Sequence, residues 1–265
     1  MHKEGMLHIL HCLYELHEEE FVRRAMGVWG EMKFDSIPLT RTDCWVLLYC
    51  LQCCPTIRSL KLHECNITAE KLRMLQPALI RCKELGLTVE RLSDADVGVL
   101  ISALGEGKNL TKLSVAKSSL SPESVEQVLG ALSRQRSVGN VHLSMTTITG
   151  TTAALCLDFI QNTETCRNLE LQDTSCDSSL SVDKDSRSLR LDANSSMMSP
   201  GSLTQAFQNS IFSTTRSPAS LTLSQADSPT SGSFTDFIHK FRDVTGLRAN
   251  PHTPGGCMGV LESVT

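Results

Sequence analysis

Ile57-Arg-Ser-Leu60-Lys-Leu62-His-Glu-Cys65-Asn-Ile67 decides how this chain is read. Its apolar positions return in Leu110-Thr-Lys-Leu113-Ser-Val115-Ala-Lys-Ser118-Ser-Leu120 and in Val138-Gly-Asn-Val141-His-Leu143-Ser-Met-Thr146-Thr-Ile148. All three fit one unit, L-x-x-L-x-L-x-x-(N/C/S/T)-x-L. Outward from them, the first member of an L-x-L couplet falls at Ile37, Leu60, Leu85, Leu113, Val141, Leu169, Leu189, Leu221 and Leu247, at spacings of 23, 25, 28, 28, 28, 20, 32 and 26. A period in that range marks a solenoid, in which one supersecondary unit stacks on the next.

Between couplets runs a second apolar series at helical spacing: Leu72, Leu75, Leu79; Val97, Leu100, Ile101, Leu104; Val125, Val128, Leu129, Leu132. Two periodicities in one repeat predict a strand and a helix per unit. The expected fold is therefore α/β, a leucine-rich-repeat solenoid of ribonuclease-inhibitor-like horseshoe form. It has a parallel inner sheet, outer helices and an N-terminal helical cap. Nine strands at ~4.8 Å would line roughly 40 Å of inner surface. The N/C/S/T position, held by Cys65, Ser118, Thr146, Thr174 and Asn194, has a structural reason: its side chain can satisfy backbone groups where the chain leaves the strand.

At the front, Leu7, Leu10, Leu13, Tyr14, Phe21, Val22 and Ala25 recur at three- and four-residue steps, which predicts one amphipathic helix over Met6 to Met26. The pairs Glu19–Arg23 and Glu20–Arg24 support it. An atypical first copy, Phe34, Ile37, Leu39 and Cys44, follows, and then the apolar Trp45 to Leu51. Residues 1–31 are read as the cap, 32–250 as the repeats and 251–265 as a tail. After Thr174 the spacing breaks down and serine becomes frequent, as in Ser195-Ser-Met-Met-Ser-Pro-Gly-Ser202. Looser loops or decayed repeats explain that, and a phosphorylated regulatory segment is the sharper reading.

Composition narrows the partners. A net charge of −4, from 25 basic and 29 acidic residues, provides no basic stripe to hold phosphates by counterion release, so nucleic acid is not expected. The longest apolar runs fall far short of the ~20 residues of a membrane span. Histidines and glutamate inside the first amphipathic segment exclude a secretory leader there, and the expected location is cytoplasmic. Eleven cysteines then read as free thiols packed in the repeat core. The glycosylation triplets at Asn66, Asn109 and Asn194 matter only on a secretory route.

Catalytic chemistry is not expected, and neither is a cofactor or metal. Gly105-Glu-Gly-Lys108 lacks the glycine and the Ser/Thr of a phosphate loop, because Ser102 and Asn109 hold those places. It is read as a turn. His17-Glu-Glu-Glu-Phe21 lacks the second histidine of a zinc peptidase helix. His8 and His11 could share a metal, or else face solvent and the cap. Cys50-x-x-Cys53 has no second pair at ligand spacing.

What remains is a binding face. Residues beside each couplet alternate to the side away from the helices. The candidates for polar recognition there are Lys61, His63, Lys112, Asn140, His142, Glu170, Gln172, Arg190 and Asp192. No Trp or Tyr follows Tyr49, so the aromatic anchors typical of binding hot spots are missing from this row.

Leu10-His-Cys-Leu-Tyr-Glu-Leu-His-Glu-Glu-Glu-Phe-Val-Arg-Arg-Ala-Met26 resembles the stretch that closes the helical domain just before the repeats in NOD-like receptors of the NACHT and leucine-rich-repeat type. Tyr49-Cys-Leu-Gln-Cys-Cys-Pro55, followed by Leu60-x-Leu62-x-x-Cys65-x-Ile67, resembles their first repeats. The resemblance implies the C-terminal part of a cytosolic innate-immune sensor, whose repeats hold a nucleotide-switched module inactive or recognise a protein partner or a microbial or danger ligand. This chain shows no NACHT P-loop, Mg-binding acidic motif or signalling domain, so nucleotide binding is not carried over. A stand-alone cytosolic inhibitor or adaptor similar to ribonuclease inhibitor is the alternative. A Toll-like receptor fragment fits less well, because those repeats run nearer 24 residues with little helix.

Overall fold

Apolar positions that recur every 28 residues place a strand and a helix in turn, and the computed structural model builds them so. It describes residues 3–54, 57–89, 92–104, 109–135, 137–146, 148, 150–174, 179–184, 188–194, 220–226, 248–250 and 257–262. The fold is α/β, a mostly parallel sheet with helices, and it divides into two units. The first holds residues 1–120 with 130–138, the second 121–129 with 139–265.

The first unit runs α1 (Lys3–Leu16), α2 (Glu19–Gly27), β1 (Glu31–Asp35), α3 (Arg41–Gln52), β2 (Ile57–Ile67), α4 (Ala69–Leu79), β3 (Cys82–Val89), α5 (Val97–Leu104) and β4 (Lys112–Leu120). β1 to β4 pair in chain order and all in parallel. The register aligns Met32, Leu60, Leu85 and Leu113 in one row, and Phe34, Leu62, Leu87 and Val115 in the next. Every member of both rows is buried. At ~1.5–3 kcal/mol for each large apolar side chain removed from water, these rows are the main reason the strands associate.

The first copy is therefore Met32-x-Phe34, and not the couplet expected at Ile37. It stands 28 residues before Leu60-x-Leu62, so the anomalous spacing of 23 disappears. Ile37-Pro-Leu39 imitates a couplet, but Pro38 has no N–H to give a sheet ladder. Leu39 fills the place that Ile67 holds one repeat later, and its N–H donates to Cys65 O at 3.0 Å. The spacing of 25 is real. Only Ile80 and Arg81 separate α4 from β3, whereas Cys53 to Thr56 separate α3 from β2.

Helix starts repeat as well. Thr40 caps α3 by accepting from Asp43 N, and Thr68 caps α4 by accepting from Lys71 N. Such caps satisfy a donor that the first helical turn leaves orphaned. The cap expected as one helix is two, because His17 adopts φ 51 and ends α1. Glu19 and Glu20 then open α2, where the helix dipole favours negative charge. Leu10, Leu13, Val22 and Met26 are buried, while Phe21 is exposed, against the reading of Phe21 as a packing residue.

The second unit contains β5 (Asn140–Met145), α7 (Gly150–Asn162), β6 (Asn168–Asp173), β7 (Ser179–Asp183), β8 (Ser188–Asn194), β9 (Ser220–Ala226), β10 (Arg248–Asn250) and β11 (Cys257–Glu262). Its helix number follows α6 (Pro122–Ser133), whose residues are shared between the units. β5 and β6 are parallel, but β7 is antiparallel to both β6 and β8. A strand thus stands where looser loops or a decayed repeat were expected, and this accounts for the spacing of 20. Reversing the chain keeps Leu180 opposite Leu171 and Val182 opposite Leu169. Lys184, at the end of β7, donates its ammonium to Ile160 O and Thr163 O at the end of α7, where the helix dipole favours a cation.

β9 continues parallel to β8, and β11 and β10 follow antiparallel. Residues 257–262 therefore form a strand inside the stretch expected as tail. Leu247, the Ser195–Ser202 segment and the Gly105–Lys108 turn lie outside the described residues.

Candidate binding face

Alternation along each strand sends the buried couplets to one side and their neighbours to the other. In the first unit these neighbours form register rows. Glu31, Ser59, Glu84 and Lys112 make one, and Lys33, Lys61, Gly86 and Ser114 the next. Asp35 stands opposite His63, and Thr88 opposite Ala116. Three of the expected residues, Lys61, His63 and Lys112, therefore share this face.

Lys61 donates to the Glu31 carboxylate, and that hydrogen bond holds the Glu31 carboxyl below its ordinary range. Lys33 stands 3.9 Å from Asp35. His63 lies over Gly86: a Cβ there would come within 3.2 Å of both His63 Nε2 and Lys61 Cγ. Glycine at 86 is thus what lets the imidazole lie down on the sheet. Burial lowers the His63 pKa, and the nearby Lys33 charge lowers it further. Beside this contact Ser59 Oγ is buried and has no hydrogen-bond partner among the described residues.

At the rim where strands end, Ser36, Glu64 and Lys117 occupy the same place in their repeats, two residues after the second couplet member, and all have positive φ, at 59, 53 and 56. Non-glycine residues rarely adopt that conformation. Here it turns the chain so that the next residue can point inward, as Cys65 does. Ser36 Oγ donates to Glu64 at 3.1 Å, and Lys117 pairs with the same carboxylate. Lys117 reaches it past β3, whose equivalent residue is the buried Val89.

In the second unit Asn140, Asn168 and Asp183 share a row, as do His142, Glu170, Ser181 and Arg190, and then Ser144, Gln172, Ser179 and Asp192. The Asn140 and Asn168 amides are hydrogen-bonded to each other at 2.9 Å. His142 Nδ1 is 3.2 Å from Glu170 Oε2, and Gln172 is exposed. The backbone places Arg190 and Asp192 in these rows, while their side chains lie outside the described residues.

The other motifs weighed in the sequence take their structural roles. His11 turns to Asp43, with Nε2 at 2.7 Å from Oδ1, and His8 to Cys12 Sγ at 3.9 Å, so the two histidines do not converge. Among the described residues no group of three His, Cys, Asp or Glu side chains could hold a metal. Cys50, Cys53 and Cys54 are buried free thiols, and burial pushes the Cys50 thiol up to about 12. No helix among the described residues is long and apolar enough to cross a membrane.

Sequence reasoning missed two sets of face residues. Glu31 and Lys33 were lost with the misplaced first couplet, although Met32-x-Phe34 lies one full period before Leu60-x-Leu62. Ser179 and Ser181 sit on a strand of reversed direction, signalled only by the alternation of Leu180 and Val182.

No family model matches the chain. The chain is similar to NACHT, LRR and PYD domains-containing protein 1 homolog of Danio rerio, 44% identical over 118 residues, which are 44% of this chain and 9% of that relative. It is also similar to NACHT, LRR and PYD domains-containing protein 6 of Rattus norvegicus, 46% identical over 65 residues, 24% of this chain and 7% of the relative. NACHT, LRR and PYD domains-containing protein 3 of Homo sapiens is 29% identical over 131 residues, 44% of this chain and 12% of the relative. The chain thus spans only 7 to 12% of the length of these curated relatives.

Proposed function

The chain is related to the NACHT, LRR and PYD domains-containing proteins, and from that kinship we propose that it is the leucine-rich-repeat module of a NOD-like innate immune receptor. In this reading it is a ribonuclease-inhibitor-like solenoid without catalytic activity or cofactor, working in the cytoplasm. It recognises a protein partner or ligand and restrains the receptor's nucleotide-switched module. The observation that carries the reading is a sheet with one face of stacked apolar couplets under helices and the other a set of polar register rows. Rows around Lys61 and His63 and around His142 and Glu170 are the contact residues of choice, since Lys61, His63 and His142 are half-buried and Glu170 is exposed beside His142.

Co-expression tests it. The chain is supplied in trans to a repeat-deleted form of the Danio rerio relative, and assembly of that relative is followed by size-exclusion chromatography. The expected result is suppressed assembly, relieved by Lys61→Ala with His63→Ala or by His142→Ala with Glu170→Ala. Assembly unaffected by the chain, or suppression that survives both double substitutions, would overturn it.

A further inference from the structure

We propose that the rim of the first unit where its strands begin is a docking surface for an acidic segment of a protein partner. The residue preceding each face row is Gly30, Arg58, Lys83 and Thr111 in successive strands. Arg58 and Lys83 stand opposite each other in the register that pairs Ile57 with Cys82 and Ser59 with Glu84. Both are exposed, and among the described residues neither makes an ion pair or side-chain hydrogen bond. Like charges directly opposite on neighbouring strands are destabilising. The Arg58 guanidinium leans over Gly30, whose missing Cβ would lie 3.5 Å from Arg58 Nη1.

Arg81, just before β3, carries the same sign along this rim. Arg81 has an ordinary structural task, donating to Gln52 O at the end of α3, where helix dipoles favour cations. Arg58 and Lys83 are on strands and have no such carbonyl. Glu84 follows Lys83 directly, so alternation turns it onto the face, and Glu31 is held by Lys61. The rim is thus cationic in a chain whose net charge is −4. Two neighbouring unpaired cations match carboxylates spaced along an extended acidic segment, and a partner's carboxylates would relieve their repulsion. This surface is separate from the polar face, so failure of either proposal leaves the other standing.

A fluorescein-labelled hexaglutamate peptide serves as probe, with binding to the full chain followed by anisotropy at low salt. Arg58→Glu with Lys83→Glu is compared with Arg24→Glu with Arg73→Glu, which changes the net charge equally at exposed positions elsewhere. The rim reversal is expected to weaken binding by at least ~tenfold and the control by less than ~twofold, with added salt weakening the wild type. If the reversed chain fails to fold by circular dichroism, Arg58→Gln with Lys83→Gln replaces it, with a smaller loss in the same direction. Absent wild-type binding, equal losses in both variants, or rim-dependent binding of heparin without binding of hexaglutamate would each overturn the proposal.

Discussion

His11 of α1 meets Asp43 of α3 across 32 residues of chain, with Nε2 2.7 Å from Oδ1. The same carboxylate accepts from Thr40 N at 2.7 Å and Thr40 Oγ1 at 2.6 Å, so one side chain both starts α3 and receives the cap. At the far end of α3, Arg23 of α2 donates to Cys53 O at 3.3 Å. Between these points the rings of Tyr14 and Tyr49 meet edge to face with centroids 5.3 Å apart. The cap thus grips the first repeat helix at both ends.

That grip depends on pH in a definite direction. Burial raises the Asp43 carboxyl, but hydrogen bonds from Thr40 and His11 outweigh it and hold the group below its ordinary 3.8. A depressed folded value means stability present above 3.8 and lost as pH falls through the folded value. Near neutral pH, Asp43→Asn is expected to lower stability by about 1 kcal/mol in urea unfolding. The difference should shrink below pH 3.8. A difference that persists undiminished in acid would sink this account.

The apolar part of the cap contributes more. Leu10 and Leu13 are buried, and truncating a core leucine to alanine costs ~2–5 kcal/mol. Leu10→Ala should therefore lower the Tm by several degrees, whereas Phe21→Ala, on the exposed side of α2, should leave it nearly unchanged. Equal melting of the two variants would refute this division of the cap.

Gly86→Ala should displace the His63 ring, since the added Cβ meets it at 3.2 Å. A ring moved into solvent loses the burial that lowers its pKa, so its titration midpoint should rise toward 6.5. Proton NMR of the imidazole across pH reads this directly. An unmoved midpoint would show that the contact does not govern His63.

Position 117 separates backbone from charge. Lys117 has φ 56, which glycine tolerates and a β-branched residue does not. Lys117→Val should lower the Tm more than Lys117→Ala, and Lys117→Gly should not lower it below the alanine variant. If Val and Ala melt together, the left-handed turn is not what constrains this site.

Thiol reactivity should follow burial. Cys12 is exposed, while Cys44, Cys50 and Cys82 are buried and their thiols pushed up to about 11, 12 and 12. Mass spectrometry after brief alkylation of the native chain should find Cys12 modified well before those three. Early labelling of Cys50 would mean that the cap opens readily.

Much of this architecture is legible because repeats write tertiary contacts as local pattern. Leu60, Leu85 and Leu113 are neighbours in space for the same reason that they recur in sequence, and alternation then placed Lys61, His63, His142 and Glu170 on one side of their strands. Where the pattern was imitated or broken, reading failed. Ile37-Pro-Leu39 passed for a couplet although Pro38 cannot join a ladder. The stretch after Thr174 read as decay, although Leu180 and Val182 keep the apolar row by running backwards.

The sequence by itself determined the strand–helix alternation, the buried couplets and the identity of most face residues, because all three depend on periods of two to four residues along one chain. Only the tertiary structure decided which residues meet across repeats: His11 with Asp43, His63 over Gly86, Lys117 with Glu64, Arg58 beside Lys83. Those contacts are set by register between strands. The repeat that leads into β3 is three residues shorter than the next, yet Leu60 still pairs with Leu85, because burial of the couplets on one face fixes the register and the connection absorbs the difference.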